Sequence, residues 1–326
     1  MSVAAAPGEV EIRERAPLRT WFRIGGGAER FAAPRDASEL ARCLEIDPGL
    51  RVIGDGANLL VDDEGVDGLV VDLGSEGSAF ARVEPVDGRG LVRAGAGASL
   101  QKMIPEACRL GLGGIEGLAG IPASLGGALV MNAGGAFGEI ADVVERVHAL
   151  TRDGREITLE RSEIAFGYRR SGLGGLLVTA AELRLTPGDP AALRARYQEC
   201  NAYKRRTQPM TERSAGCCFK NPTLAADLEG VAPAGGRVSA GMLIDRAGCK
   251  GLSVGGATVS ERHANFITTA KDARAADVIA LMGEVRRRVF DAFGVVLEPE
   301  VVVWSRRPER LAVLHGHPGG GPGGRA

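Results

Sequence analysis

The amino-acid sequence predicts an α+β protein of more than one domain. Three features carry that expectation. At 326 residues the chain is longer than one hydrophobic core usually serves. Short β-prone stretches dominate its middle, with only occasional helical periodicity between them. Glycine is abundant, at 48 residues, while aromatic residues make up only 4%, a balance suited to tight turns and close backbone approaches.

The elements follow in chain order. Residues 1–17 read as a polar, weakly structured N-terminal arm. The run "SELARCLEI" predicts a helix with Ser38 as its N-cap. "LRVIGDGANLLV" reads as strand, glycine turn and short apolar segment, and "DGLVVDL" as a strand. "RGLVRAGAGASLQKMIPEACRLG" reads as strand, turn and helix, with Ser99 as cap and Gly111 as stop. Strands return in "VVERVHALT", "REITLE" and "GLLVTAAELRLTP". A connecting helix over 191–206 is expected from "PAALRARYQECNAYKRRTQP", ended by Pro209. "SAGMLIDRAGCKG" predicts a helix between Ser239 and Gly248. The clearest helix is "ARAADVIALMGEVRRRVFDAFG", where Val278, Leu281, Met282, Val285, Val289 and Phe293 share a face and Gly294 is the stop. "VVLEPEVVVW" reads as a following strand, and 307–326 as a disordered Gly/Pro-rich tail.

Composition narrows the function. Net charge is −1, so no broad basic field invites nucleic acid. The local basic clusters are Lys204-Arg205-Arg206 and Arg286-Arg287-Arg288, the second read as a solvated helix face. The six cysteines are sparse and irregular, which suits free thiols in a reducing cytoplasm and not a disulfide framework. Neither a signal peptide nor an apolar run of membrane-spanning length is read, so no membrane partner is expected.

Several stretches carry chemistry. "GDGAN" (54–58) follows a strand but lacks the third glycine of a dinucleotide fingerprint; its bare N–H groups could face a phosphate, or it is a plain loop. "GIPASLGGALVMNAGG" (120–135) frames an apolar segment with paired glycines, suited to a large phosphate-bearing cofactor or to a tightly packed small-residue core. "FGYRRSG" (166–172) offers arginine forks suited to carboxylate or phosphate, or simply surface arginines. Glu298 and Glu300 in "LEPE" fall on one face of an edge strand, where a partly buried carboxyl can handle protons or an exposed edge charge can block aggregation. A hydrolase dyad of Cys217 and His263, or a zinc site adding Cys218 and Cys249, lacks the supporting spacing; no metal is expected.

In this order, "TWFRIGG", "VIGDGANLLV", "GLAGIPASLGGALVMNAGGAFG", "FGYRRSG", "GCCFKNP", "AGMLIDRAGCKG", "GGATVSERHANFI" and "LEPEVVVW" resemble the UDP-N-acetylenolpyruvoylglucosamine reductase (MurB) family. The likeness runs from about Thr20 to Trp304. It implies a two-part FAD-binding domain of the vanillyl-alcohol-oxidase (PCMH) type over 18–190, with subdomains of about 18–73 and 74–190, and a smaller α+β substrate-binding domain over 207–306. It also implies an NADPH-dependent reduction of UDP-N-acetylglucosamine enolpyruvate, with noncovalent FAD; a monomer is expected. The short span between Arg169 and Cys217 matches the subgroup without an extra substrate-capping insertion.

Residue roles come from the same resemblance. Gly54, Asp55, Gly56, Ala57, Asn58 and Leu59 would hold the cofactor, as would Gly120, Ile121, Pro122, Ala123, Ser124, Gly126, Gly127, Asn132, Ala133 and Gly134. Ala57 stands where the family usually has serine, and Ala123 where it usually has glycine. Arg169, Cys217 and Glu300 would be catalytic, Cys217 standing in for the family's proton-donating serine. An ordinary thiol is mostly protonated near neutrality, so it can give a proton to carbon. Tyr168, Tyr203, Lys204, Lys220, Asn221 and His263 would contact substrate, while Cys218, alternating with Cys217, packs inward.

Overall fold

The structure is a computed structural model and describes residues 10–318. The chain forms two compact units, each assembled from separated stretches. The first contains described residues up to Ala16, then Ala28–Asp55 and Asp67–Arg206; the second contains Pro17–Gly27, Gly56–Val66 and the chain beyond Arg206. The contiguous boundaries expected from sequence therefore need correction. Trp21 N donates to Gly56 O at 3.1 Å, and the strand Leu59–Val61 pairs with Val302–Trp304, so these early stretches fold with the C-terminal residues.

In the first unit, a four-stranded sheet has the order Arg13–Ala16, Ala28–Ala32, Val66–Asp72, Arg51–Ile53. The expected unstructured arm thus ends in a strand, with Arg13 opposite Phe31 and its guanidinium 4.7 Å from that ring. Helix α1 covers Ala37–Ile46. Its cap is Asp36 and not Ser38: Asp36 accepts from Glu39 N at 3.0 Å, which leaves Ser38 inside the first turn. A five-stranded antiparallel sheet follows the order Glu156–Glu160, Val144–Leu150, Leu177–Arg184, Leu91–Gly95, Val83–Pro85. Helix α2, Leu100–Arg109, starts after Ser99, whose side chain makes no cap bond.

The apolar segment between the glycine pairs is a third helix, α3, over Leu125–Met131, with Leu125, Ala128 and Leu129 buried. Its glycine content hides it from a propensity reading. Helix α4, Pro190–Thr207, buries Cys200 and Lys204. One core unites Leu40, Leu69, Leu100, Ile104, Leu125, Val147 and Leu177.

The second unit has its own core, including Phe22, Phe219, Leu243, Met282 and Leu297. Helix α5, Ala240–Arg246, is capped by Ser239, which accepts from Met242 N at 3.2 Å. Helix α6, Ala275–Phe293, buries Val278, Leu281, Met282, Val285 and Val289 and ends on Gly294 at φ 66°. A three-stranded antiparallel sheet orders Ser253–Val254, Ala257–Val259, Ile267–Thr269. Only Val302–Trp304 of "VVLEPEVVVW" forms a ladder strand; Pro299, lacking an N–H, makes an isolated bridge with Phe219.

Two further expectations are overturned. The tail contains helix α7, Pro308–His315; only residues 319–326 of it lie outside the described residues. Leu314 is fully buried and Arg310 meets Asp62 at 2.8 Å, so α7 has its own packing and ion pair. Arg286 is not on a solvated face. It is buried and donates to Leu297 O at 2.9 Å, Val313 O at 2.5 Å and Gly316 O at 2.9 Å, the last two at the end of α7. Arg287 and Arg288, by contrast, pair with Glu284 on the outside of α6.

Candidate active site

In the first unit, strand Arg51–Ile53 delivers the chain to Gly54. A Cβ built there would lie 2.1 Å from Ser124 Oγ, so glycine lets the first Gly-rich turn meet the second motif without moving that hydroxyl. Ser124 also caps α3, accepting from Gly127 N at 3.3 Å. Ile121, Ala123, Val130 and Ala133 pack on the core but remain partly uncovered. Asp55 is half-buried, and burial, followed by the charge of Asp72, pushes its carboxyl above the usual range.

Asn132 is a brace. It is fully buried, holds φ 44° at the end of α3, donates to Gly167 O at 3.1 Å and accepts from Ala141 N at 3.3 Å. Its side-chain amide is thereby committed to the loop that carries Arg169. That loop is closed by a bridge between Gly167 and Arg170, and Arg169 itself sits at φ 55°, a conformation that costs an L-residue energy and aims its guanidinium. The guanidinium carbon is 5.3 Å from the Tyr168 ring centre.

Lys204 is the most unusual group of this unit. Its side chain is buried, and its Nζ has no hydrogen-bond partner among the described residues. Burial lowers its pKa from 10.5 to about 8; Cys200 opposes the fall and nearby Arg169 adds to it. A Cβ on Gly120 would lie 3.1 Å from Lys204 Cδ, so the lysine runs beneath the second Gly-rich motif. An unpaired buried ammonium is costly unless an anion joins it. Tyr203, one residue before, is exposed and packs edge-on against Phe137 at 5.2 Å.

In the second unit, the rest of the first Gly-rich turn, Gly56 to Asn58, leads into the strand Leu59–Val61. Gly56 takes φ 63°, and a Cβ there would strike Arg19 O at 2.3 Å. Cys217 and Cys218 lie on an extended stretch flanked on both sides. Cys217 bridges Phe266, Cys218 N donates to Asn265 O at 2.8 Å, and Glu300 N donates to Cys218 O at 2.8 Å. Cys218 is buried, with its thiol pushed up to about 12, whereas Cys217 is half-exposed, as alternation predicts. The structure thus brings Cys217 and Glu300 onto adjoining segments, and Asn58 joins them by donating to Glu300 O at 3.1 Å.

The proposed substrate contacts in this unit have mixed fates. Lys220 Nζ reaches Glu298 at 3.4 Å. Asn221 accepts from Ala240 N at 2.9 Å, which ties it to the first turn of α5. His263 accepts from Asn265 N at 3.3 Å, packs edge-on against Phe266, and has its pKa lowered chiefly by burial.

Asn265 escaped the sequence reading: it is buried and clamps Phe219 through both N and O, at 2.9 and 2.8 Å. Its only sequence signal was its place in "SERHANF". Thr20 and Ser214 also escaped it; both are buried, with hydroxyls unpartnered among the described residues. No trio of His, Cys, Asp or Glu among the described residues is arranged to hold a metal ion.

Partly uncovered apolar side chains beside a closely packed Gly-rich turn fit a flat, phosphate-bearing cofactor such as FAD. Residues 28–160 match a family model described as an FAD binding domain, which places the chain among FAD-containing oxidoreductases. Residues 208–304 match the C-terminal domain of UDP-N-acetylenolpyruvoylglucosamine reductase. A protein of that name from Desulfosudis oleivorans is 41% identical over 306 residues, covering 90% of this chain and 94% of the relative. UDP-N-acetylenolpyruvoylglucosamine reductase 2 of Symbiobacterium thermophilum is 42% identical over 313 residues, covering 94% and 96%. The crystal structure of the Thermus caldophilus enzyme (MurB) superposes with a TM-score of 0.74 at 38% identity, covering 91% of this chain and 99% of that one. This chain belongs to the UDP-N-acetylenolpyruvoylglucosamine reductase family.

Proposed function

We propose that this protein reduces UDP-N-acetylglucosamine enolpyruvate to UDP-N-acetylmuramate, a peptidoglycan precursor, using NADPH. When bound, FAD supplies the chemistry of hydride acceptance and delivery. The observation that carries the residue assignments is the joined backbone of the second unit: Glu300 N bonds Cys218 O, and Asn58 bonds Glu300 O. A thiol, a carboxyl and a Gly-rich turn are thereby held in one hydrogen-bonded frame.

Hydride arrival at the substrate methylene leaves negative charge on the neighbouring carbon and its carboxylate. Arg169 offsets that charge, and Glu300, when protonated, donates to it. Cys217 then delivers its proton to carbon, a step worth roughly 10²–10⁴-fold. Lys204 takes a substrate phosphate as partner for its buried ammonium; Tyr203, Lys220 and Asn221 stand near the nucleotide diphosphate, and Tyr168 and His263 line the substrate. Gly54–Leu59 and the Gly120–Gly134 stretch, through backbone and apolar surface, hold noncovalent FAD. The enzyme works as a cytoplasmic monomer on a small-molecule substrate; among the described residues no helix is long and apolar enough to cross a membrane.

The decisive test is spectroscopic. The purified chain carries a visible flavin spectrum that bleaches on NADPH and returns, without oxygen, when the enolpyruvyl nucleotide is added. Return only in air would make it an oxygen-using flavin oxidase. A colourless protein that binds uridine nucleotides would make it a binding module.

A further inference from the structure

We propose that Asn58 is a positioning residue for Glu300: its side-chain amide fixes the backbone from which the Glu300 carboxyl projects. The inference rests on the reading of Glu300 given above. The two residues are 242 positions apart in sequence, yet Asn58 Nδ2 donates to Glu300 O at 3.1 Å. The return bond is equally direct, Val302 N donating to Asn58 O at 3.0 Å. Beyond it, Leu59 lies opposite Val302 in the parallel ladder. On its other side Glu300 donates its own N–H to Cys218 O at 2.8 Å. Both backbone groups of Glu300 are therefore held, one by the thiol-bearing stretch and one by Asn58.

The residues before Glu300 have their own anchors: Leu297 is buried with its O accepting from Arg286 Nε at 2.9 Å, and Glu298 O accepts from Lys220 N at 2.9 Å. Residues 295–298 carry no ladder, Pro299 makes an isolated bridge to Phe219, and Glu300's own backbone is bonded to Cys218 and to Asn58. A carboxyl is aimed from its backbone, and a small misplacement is expensive in rate. The Gly-rich turn needs no side-chain amide to face a phosphate, because bare backbone N–H groups do that. Asn58 instead spends its donor on the acid's carbonyl.

The test compares holoenzymes of Asn58→Ala, Asn58→Asp and Glu300→Gln in the two half-reactions, by rapid mixing without oxygen. In either Asn58 variant, recovery with the enolpyruvyl nucleotide slows more than bleaching by NADPH does. Recovery with the enolpyruvyl nucleotide at saturation slows about tenfold in Asn58→Ala, the scale of one lost positioning bond. It slows further in Asn58→Asp, which is alike in size but sets a carboxylate against the Glu300 carbonyl. Wild-type recovery in Asn58→Asp overturns the proposal, as does equal slowing of both half-reactions. Loss of flavin from both Asn58 variants would assign the amide to the cofactor and overturn it too. Glu300→Gln is read separately: wild-type recovery there sinks the role of Glu300 itself, whatever Asn58 does.

Discussion

At the scale of single residues, Cys217 and Lys204 make the sharpest demands. Cys217 is half-exposed on a stretch whose next residue is buried, so its thiol faces a different environment from that of Cys218. Cys217→Ala should keep NADPH bleaching and lose fast recovery with substrate, while Cys217→Ser, which retains a proton, should keep part of the turnover. Stopped-flow traces of both variants check this, and fast recovery in the alanine variant removes the thiol from the mechanism. Lys204 has a pKa lowered to about 8, mainly by burial. Below that value the ammonium is charged and waits for an anion; above it the free protein sheds the proton, and binding a phosphate must take it back. Substrate affinity should thus be flat below pH about 8 and fall by up to about tenfold per pH unit above it, towards the ordinary lysine pKa. Lys204→Met should weaken binding at neutral pH and abolish that slope, as a KM series across pH would record. Cys217, Glu300 and Arg169 were visible as residue types in sequence. The commitments of Asn132, Asn58 and Asn265 were not, because an amide's partner lies wherever the fold puts a carbonyl.

At the scale of elements, the strand Leu59–Val61 is anchored through the two aspartates at its C-terminal end. Asp62 is fully buried and accepts from Ser305 at 2.5 Å and from Arg310 at 2.8 Å. Asp63 next to it accepts from Ala275 N and Ala276 N at 2.8 and 3.1 Å, capping α6 with a carboxylate from a distant loop. Helix α7 is fixed in turn by Arg286, whose three carbonyl partners would lose their donor together. Arg286→Ala should therefore cost about 3 kcal/mol of stability, measured by denaturant unfolding. A loss below about 1 kcal/mol would show that water replaces the guanidinium. Helical spacing revealed α6 and its buried face directly. It could not reveal α3, whose glycines mask it, nor α7, which a Gly/Pro-rich ending disguised.

At the scale of the whole molecule, the prediction concerns the cofactor. FAD held noncovalently should pass through a filter after heat denaturation, whereas yellow colour kept on the precipitate would mean a covalent bond. Excess FAD at about 100 times its dissociation constant should add about 2.7 kcal/mol to the stability of the folded protein, and a melting temperature indifferent to FAD would contradict the cofactor assignment. The sequence was enough for the family, the FAD-binding fold and the chemistry on offer, since motif order, glycine turns and helical spacing are written locally. It also foretold that Cys217 and Cys218 face opposite ways, because alternation is a property of any extended chain. Tertiary structure alone decided that Pro17–Gly27 and Gly56–Val66 fold with the C-terminal residues, that Arg286 is an interior brace, and that Asn58 holds Glu300. Each of those facts depends on a contact between residues far apart in sequence, and hydrogen-bond partners at that distance leave no local period or spacing to read.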